Sequence, residues 1–142
     1  MEGISKILGD TLKTKNGDVP ITNLSEVKYI ALYFTAMWCA PCKLFSPKLK
    51  KFYNAVNADS RQFEVVMVSG DDEEDAYEEY YESQPWMAVP FDSDKIQEIY
   101  QHYDAHSMPL LILVGSNGEV KSRELKQGIT DKGVAYLEDL KL

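Results

Sequence analysis

The stretch Trp38-Cys39-Ala40-Pro41-Cys42 contains both cysteines of this chain. It follows an apolar run at residues 29–34, which is typical of a buried strand, and it precedes a helical pattern over residues 41–57. A Cys-x-x-Cys pair at a strand-to-helix junction indicates a redox site, because unpaired N–H groups at the helix start stabilise a thiolate on the first sulfur. The second sulfur lies within one helical turn and can close a disulfide with the first.

The order of the two cysteines predicts their roles. Cys39 stands at the helix start, and Lys43 adds a nearby positive charge, so we expect Cys39 to attack and Cys42 to resolve the mixed disulfide.

A pair of inert buried cysteines, or half of a metal site, explains this setting poorly. His102 and His106 have zinc-finger spacing, but 59 residues separate Cys42 from His102, far more than the ~12–15 of a finger loop. We therefore expect no metal.

Composition limits the class of protein. The 142 residues are 44% hydrophobic and predict one compact domain over residues 1–142. The net charge of −8 argues against nucleic acid or an anionic membrane as a partner. No apolar stretch approaches the ~20 residues that span a bilayer, and no signal peptide is recognisable. We expect a cytoplasmic or nuclear protein, although a chain from which a targeting segment had been removed would look the same.

Hydrophobic periodicity and turn residues predict the order of the elements. A β-hairpin is expected over residues 8–22 with Asn16-Gly17 at its turn. The other expected strands lie at 29–34, 63–68, 110–114 and 119–122. The expected helices lie at 41–57, at 72–82 and at 131–140, and a fourth begins near Asp94, where Asp94 and Gln97 have the spacing of a capping box. Pro47 is expected to kink the first of these helices, and Val134, Leu137 and Leu140 are expected to face inward on the last. Residues 84–91 are expected to be a loop. This order predicts an α/β fold with a mixed sheet, helices on both faces and a first βαβ unit that is parallel and right-handed.

Met108-Pro109 is the second element of interest, because it lies directly before an apolar strand. A proline there is compatible with an ordinary strand start. It is also compatible with a cis peptide bond beside the cysteines, which would leave the Met108 backbone free to pair with an extended substrate.

These motifs together resemble the thioredoxin superfamily, and within it the tryparedoxins and nucleoredoxin-like proteins. The likeness rests on Trp-Cys-x-Pro-Cys-Lys, on Pro47, on the Met108-Pro109 loop and on blocks at 33–39, 66–74 and 85–91, and it covers about residues 7–122. It implies a thioredoxin-like fold with an N-terminal hairpin, dithiol–disulfide exchange, and a site made of Trp38, Cys39, Cys42 and a cis Pro109. We expect Trp38, Ala40, Pro41, Met108 and Pro109 to contact the substrate.

Three positions depart from the patterns of these families. Thioredoxins carry a buried Asp six residues before the first cysteine, whereas this chain has Tyr33, as tryparedoxins do; a tyrosine is a poor proton acceptor near neutral pH. Ala40-Pro41 stands where the subfamily commonly has Pro-Pro. Gly70 replaces a Trp that in tryparedoxins helps to hold the thiol–polyamine reductant.

An acidic run begins at Asp71 and Asp72, directly after the strand predicted at 63–68. These residues suit the N-terminal end of a helix, where negative charge is favourable. Because parallel strands end at the same sheet edge, they are also expected to lie beside Cys39, where they would attract a cationic reductant or a basic substrate.

The sequence therefore predicts a thiol–disulfide oxidoreductase that reduces protein or peroxidase disulfides without a bound cofactor. Expected partners are a disulfide-containing protein, such as a peroxiredoxin, and a reductase or low-molecular-weight thiol as electron donor; the protein is expected to be a monomer. The alternatives are a redox-sensitive binding module of nucleoredoxin type and a disulfide oxidase or isomerase of an oxidising compartment.

The expected roles of the two sulfurs make a prediction. In the reduced protein, Cys39 should be alkylated faster than Cys42 near neutral pH, because helix N–H groups stabilise only the first thiolate. Mass spectrometry of peptides after pH-dependent alkylation measures both rates, and faster modification of Cys42 would contradict the assigned roles.

Overall fold

A seven-stranded mixed sheet forms the centre of the computed structural model, which describes residues 2–140. In chain order the strands are β1 (Thr11–Thr14), β2 (Gly17–Pro20), β3 (Tyr29–Thr35), β4 (Phe63–Ser69), β5 (Met87–Ala88), β6 (Leu110–Val114) and β7 (Val120–Ser122). Their spatial order is β2-β1-β5-β4-β3-β6-β7. The mixed sheet, the parallel β3–β4 pair and the N-terminal hairpin confirm the predicted architecture.

Strand β3 lies inside the sheet, between β4 and β6, and is buried along its whole length. It pairs in parallel with β4, from Tyr29 opposite Phe63 to Thr35 opposite Ser69, and antiparallel with β6. A strand covered on both faces is expected to be apolar throughout, which explains the continuous hydrophobic run in the sequence. The ends of β3 and β4 are level, so the loops that follow them begin side by side.

Helices cover both faces of the sheet, as predicted. Their bounds are α1 (Glu2–Leu8), α2 (Ala40–Val56), α3 (Glu74–Glu82), α4 (Ile96–His102) and α5 (Leu125–Lys132), with 3-10 turns at Ile21–Glu26 and Gly133–Asp139. Alternate side chains of β3 point to opposite faces: Ala31 and Tyr33 lie in the core with α2, α3 and α5, while Leu32 and Phe34 lie in the core with α1 and α4. No helix within residues 2–140 is long and apolar enough to cross a membrane.

The N-terminal helix and one strand were missing from the sequence prediction. Helix α1 places Ile4 and Leu8, both fully buried, in the core beneath the sheet. Strand β5 lies within residues 84–91, which were expected to be a loop, and it joins the hairpin to β4. Two residues are too few to produce a recognisable alternation, so only the paired structure reveals this strand.

Helix boundaries also required correction. Helix α4 begins at Ile96 with Lys95 as its N-cap and with no side-chain cap bond, so the Asp94–Gln97 capping box was wrong. The closing helix at 131–140 was wrong as well, because α5 ends at Lys132 and Gly133 follows with φ of +58°. A shorter 3-10 turn follows, in which Val134 and Leu137 are each 37% exposed rather than inward; Leu140 is buried as expected.

Stability measurements test these corrections. Replacement of Ile4 by Ala should lower the free energy of unfolding by about 2–4 kcal/mol, because it opens a cavity between α1 and the sheet. Replacement of Val134 by Ala, at a partly exposed site, should cost about 0.5 kcal/mol. Urea denaturation compares the two variants, and equal losses would contradict the placement of these segments.

Candidate active site

The two cysteines form a disulfide at the start of α2, with their Cα atoms 5.3 Å apart. Cys39 is the N-cap of this helix, and its Sγ accepts a hydrogen bond from the Cys42 backbone N–H at 3.3 Å. Cys42 is fully buried, whereas Cys39 retains 5% of its exposure and lines an open groove. The structure therefore makes Cys39 the accessible sulfur and gives it the N–H contact that favours a thiolate.

The groove above Cys39 has a volume of about 420 Å³ and brings together four of the five expected substrate-contacting residues. Trp38, Ala40 and Pro41 belong to the cysteine motif, and Met108 comes from the loop before β6. The remaining lining residues are Tyr100, Ala105, His106 and Ser107. The Met108–Pro109 peptide bond is cis, which is the second of the two interpretations of this proline. Pro109 is buried and does not line the groove.

Trp38 is the most exposed aromatic side chain beside the disulfide, at 67% of its full exposure. Its indole Nε1 donates to the carbonyl oxygen of Gly70 at 3.3 Å. Above Gly70 lies the Met108 side chain, which also packs against Ala36, Cys39 and Cys42. A Cβ at position 70 would come within 2.4 Å of the Met108 Cε. Met108 thus occupies the space into which a larger residue at position 70 would project.

Asp71 is a structural residue of this site rather than an exposed charge. Its side chain is almost buried, and its two carboxylate oxygens accept the Met37 backbone N–H at 3.0 and 3.2 Å. The Ser69 hydroxyl donates to the same carboxylate at 2.9 Å. Asp71 therefore ties the loop after β4 to the loop that carries Cys39. Asp72, in contrast, is exposed and remains available for the expected attraction of a cationic group.

A chain of hydroxyl groups lies behind Cys42. The Tyr33 hydroxyl donates to the Cys42 carbonyl oxygen at 3.4 Å and lies 2.7 Å from Ser46 Oγ. Ser46 contacts the Tyr80 hydroxyl at 3.1 Å, which in turn lies 2.6 Å from Thr35 Oγ1. Burial is the main cause that raises the pKa of Tyr33, and the neighbouring Tyr80 raises it further, so Tyr33 stays protonated, as expected.

Sequence reasoning missed the roles of Ser46, Tyr80 and Thr35 in this network. Ser46 follows Cys42 by four residues and therefore shares its helix face, a signal that was available. Nothing in the spacing of α3 indicates which groups the Tyr80 hydroxyl meets.

Lys43 is exposed and does not line the groove of Cys39; it lines a separate cavity between α2 and α3. His106 does line the groove, and its Nε2 pairs with the Asp104 carboxylate, while His102 lies exposed on α4. Among residues 2–140 no group of three or more His, Cys, Asp or Glu side chains is placed to hold a metal ion.

The geometry agrees with comparisons to known proteins. A model of the thioredoxin-like family matches residues 26–120. The chain belongs to this family. It is 36% identical over 120 residues to tryparedoxin of Trypanosoma brucei brucei, and the match covers 82% of each chain. Its fold superposes on native tryparedoxin I of Crithidia fasciculata with a TM-score of 0.85, at 34% identity over 93% of each chain.

A tryparedoxin II structure in complex with glutathionylspermidine is also similar, with a TM-score of 0.83 and 25% identity over 92% of each chain. Against the probable nucleoredoxin 1 of Arabidopsis thaliana, the chain is 30% identical over 106 residues but spans only 18% of that protein. The chain thus combines a tryparedoxin/nucleoredoxin-like fold with the cysteine pair of a thiol–disulfide oxidoreductase.

The role of Asp71 is testable with a matched pair of variants. Asp71→Asn should lower the free energy of unfolding by about 1–3 kcal/mol and slow disulfide reduction, because hydrogen bonds to a carboxylate hold the Cys39 loop. Asp72→Asn, which removes the same charge from an exposed position, should change stability by about 0.5 kcal/mol or less. Urea denaturation and turnover are measured for both, and similar effects would argue against the tie.

Proposed function

We propose that this protein reduces disulfides in other proteins by dithiol–disulfide exchange through Cys39 and Cys42. One observation carries the proposal: the sulfur at the helix N-terminus lines an open groove, while its disulfide partner is fully buried. Such asymmetry gives one sulfur access to a substrate and reserves the other for the intramolecular step.

Each cycle begins with the reduced pair. The Cys39 thiolate attacks one sulfur of the substrate disulfide, the substrate S–S bond breaks, and the departing thiolate takes a proton from water. Cys42 then releases its proton to water, and its sulfur attacks Cys39 Sγ, which frees the second substrate thiolate. The substrate gains two electrons and the cysteine pair is oxidised to the disulfide. Tyr33, which stays protonated and whose hydroxyl meets the Cys42 carbonyl, positions Cys42 rather than removing its proton.

The groove supports binding of an extended segment on either side of the substrate cysteine. Trp38 offers an exposed aromatic surface, and Met108 lines the same groove as Cys39, where its backbone would pair with an extended substrate. In this proposal Ala40 and Pro41 form the near rim, and Pro109 supports Met108 from behind.

The partners follow from this chemistry. The substrates are disulfide-containing proteins, among them a peroxiredoxin, and no bound cofactor is needed because the electrons reside in the two sulfurs. A reductase or a low-molecular-weight thiol supplies electrons. Because Gly70 offers no aromatic face to a polyamine arm, glutathione or a reductase should serve at least as well as a trypanothione-like dithiol. We place the protein, as a monomer, in the cytoplasm or nucleus.

Cysteine variants test the proposal. Cys39→Ser should abolish reduction of an insulin disulfide, because no attacking sulfur remains. Cys42→Ser should hold substrates as mixed disulfides that mass spectrometry of a cell extract identifies. Turnover by Cys39→Ser at the wild-type rate would end the proposed mechanism. Complexes with a partner that form and dissociate with redox state, without turnover, would favour the binding module. Oxidation of a dithiol peptide at a higher rate than reduction of the corresponding disulfide peptide would favour the oxidase.

A further inference from the structure

Helix α2 carries a concentration of positive charge on an acidic protein. It contains four lysines, Lys43, Lys48, Lys50 and Lys51, and no Asp or Glu, whereas the whole chain has a net charge of −8. All four lysines are exposed, and none forms an ion pair with another residue in the described part of the chain. Of the acids on the neighbouring α3, Glu78 pairs with Lys13 on the hairpin and Glu82 lies near Lys15, and in the described part of the chain none forms an ion pair with a lysine of α2.

Two of these lysines border a second cavity, about 370 Å³ in volume, which we call the lysine cavity. Its lining residues are Lys43, Ser46, Pro47, Lys50, Tyr80, Ser83, Gln84 and Trp86. The ring of Trp86 and Pro47 give the cavity an apolar part. Its three hydroxyl groups, on Ser46, Tyr80 and Ser83, are hydrogen-bonded within the protein, so the ammonium groups of the two lysines are the donors that it offers to a ligand. Gln84 and Trp86 are each 2% exposed, and their Oε1 and Nε1 atoms have no hydrogen-bond partner in the protein.

The lysine cavity is close enough to the disulfide to contact the same partner. Lys43 directly follows Cys42, and along the helix axis it lies roughly 6 Å from Cys39, while Lys50 lies roughly 16 Å away, at 1.5 Å per residue. An extended chain covers these distances with about two to five residues. Both lysines therefore fall within the footprint of a partner protein docked on the groove, whose interface would bury about 800 Å² on each side.

We propose that the lysine cavity recognises an acidic segment of the protein substrate, within about two to five residues of the substrate's reactive cysteine. A carboxylate there accepts from the ammonium groups of Lys43 and Lys50, and its apolar neighbours contact Pro47 and Trp86. This inference rests on the proposed function and names its substrate class. It also gives the two sides of the active site opposite electrostatic character, with Asp72 on one side and the α2 lysines on the other.

Matched disulfide peptides test the proposal. Three peptides share one disulfide and one length, and carry Glu, Gln or Lys at the flanking positions. At low ionic strength the wild-type protein should reduce the Glu peptide faster than the Gln peptide, because the two lysines attract its carboxylates. The expected difference is only about twofold to tenfold, because each exposed ion pair contributes little to the binding free energy. This ratio should fall toward one in ~0.5 M NaCl, where the Debye length is short.

Charge-neutral variants locate the effect. The double variant Lys43→Gln, Lys50→Gln should bring the Glu-to-Gln rate ratio to about one, and Lys50→Gln alone, far from the sulfurs, should lower it part of the way. The matched control Lys48→Gln, Lys51→Gln removes the same charge from the same helix but from outside the cavity, and it should retain the preference. Circular dichroism confirms that each variant is folded.

The outcomes separate this inference from the proposed function. Failure of the wild-type protein to reduce even the Gln peptide would count against the proposed function itself. Reduction of all three peptides at equal rates would leave that function standing and overturn the acidic substrate class. An equal loss of preference in the control variant Lys48→Gln, Lys51→Gln would overturn the assignment of the preference to the cavity. Abolition of the preference by millimolar free succinate would also overturn the proposal, because it would show that the cavity binds a small anion.

Discussion

The pairing of β3 with β4 is the constraint on which the active site depends. Their parallel register sets Thr35 opposite Ser69, so the loop that carries Cys39 and the loop that carries Asp71 leave the sheet at the same level. Only this arrangement allows the Asp71 carboxylate to accept the Met37 backbone N–H. The groove, the exposed Trp38 and the helix that begins at Cys39 all follow from where that loop is held.

Around this fixed loop, the protein separates the two sulfurs by environment rather than by residue type. Both are cysteines in one helical turn, yet one lies at the N-cap beside a groove, and the other is buried above the Tyr33 hydroxyl. A helix terminus stabilises a thiolate, whereas burial without a charged partner disfavours it. In the proposed mechanism this difference assigns attack to one sulfur and resolution to the other, with no charged residue needed behind Cys42.

Charge is distributed in a similarly local way. The acidic excess of the chain is concentrated after β4 and on α3, while α2 is purely basic, so a net charge of −8 does not describe the surface that a substrate meets. One member of the acidic run, Asp71, is removed from the surface altogether because it bonds the backbone. Net charge was therefore no guide to the surface beside the disulfide.

The sequence by itself determined the buried strand at 29–34, the cysteine helix, the hairpin and the redox chemistry, because these depend on short-range patterns of apolar residues, turn residues and sulfur spacing. Tertiary structure alone decided the burial of α1 and the pairing of the two-residue β5. It also decided that Asp71 binds Met37, that Tyr80 completes the hydroxyl chain behind Cys42, and that Lys43 and Lys50 border one cavity. Each of these depends on contacts between segments far apart in the chain, which strand register and helix packing create and local periodicity does not encode.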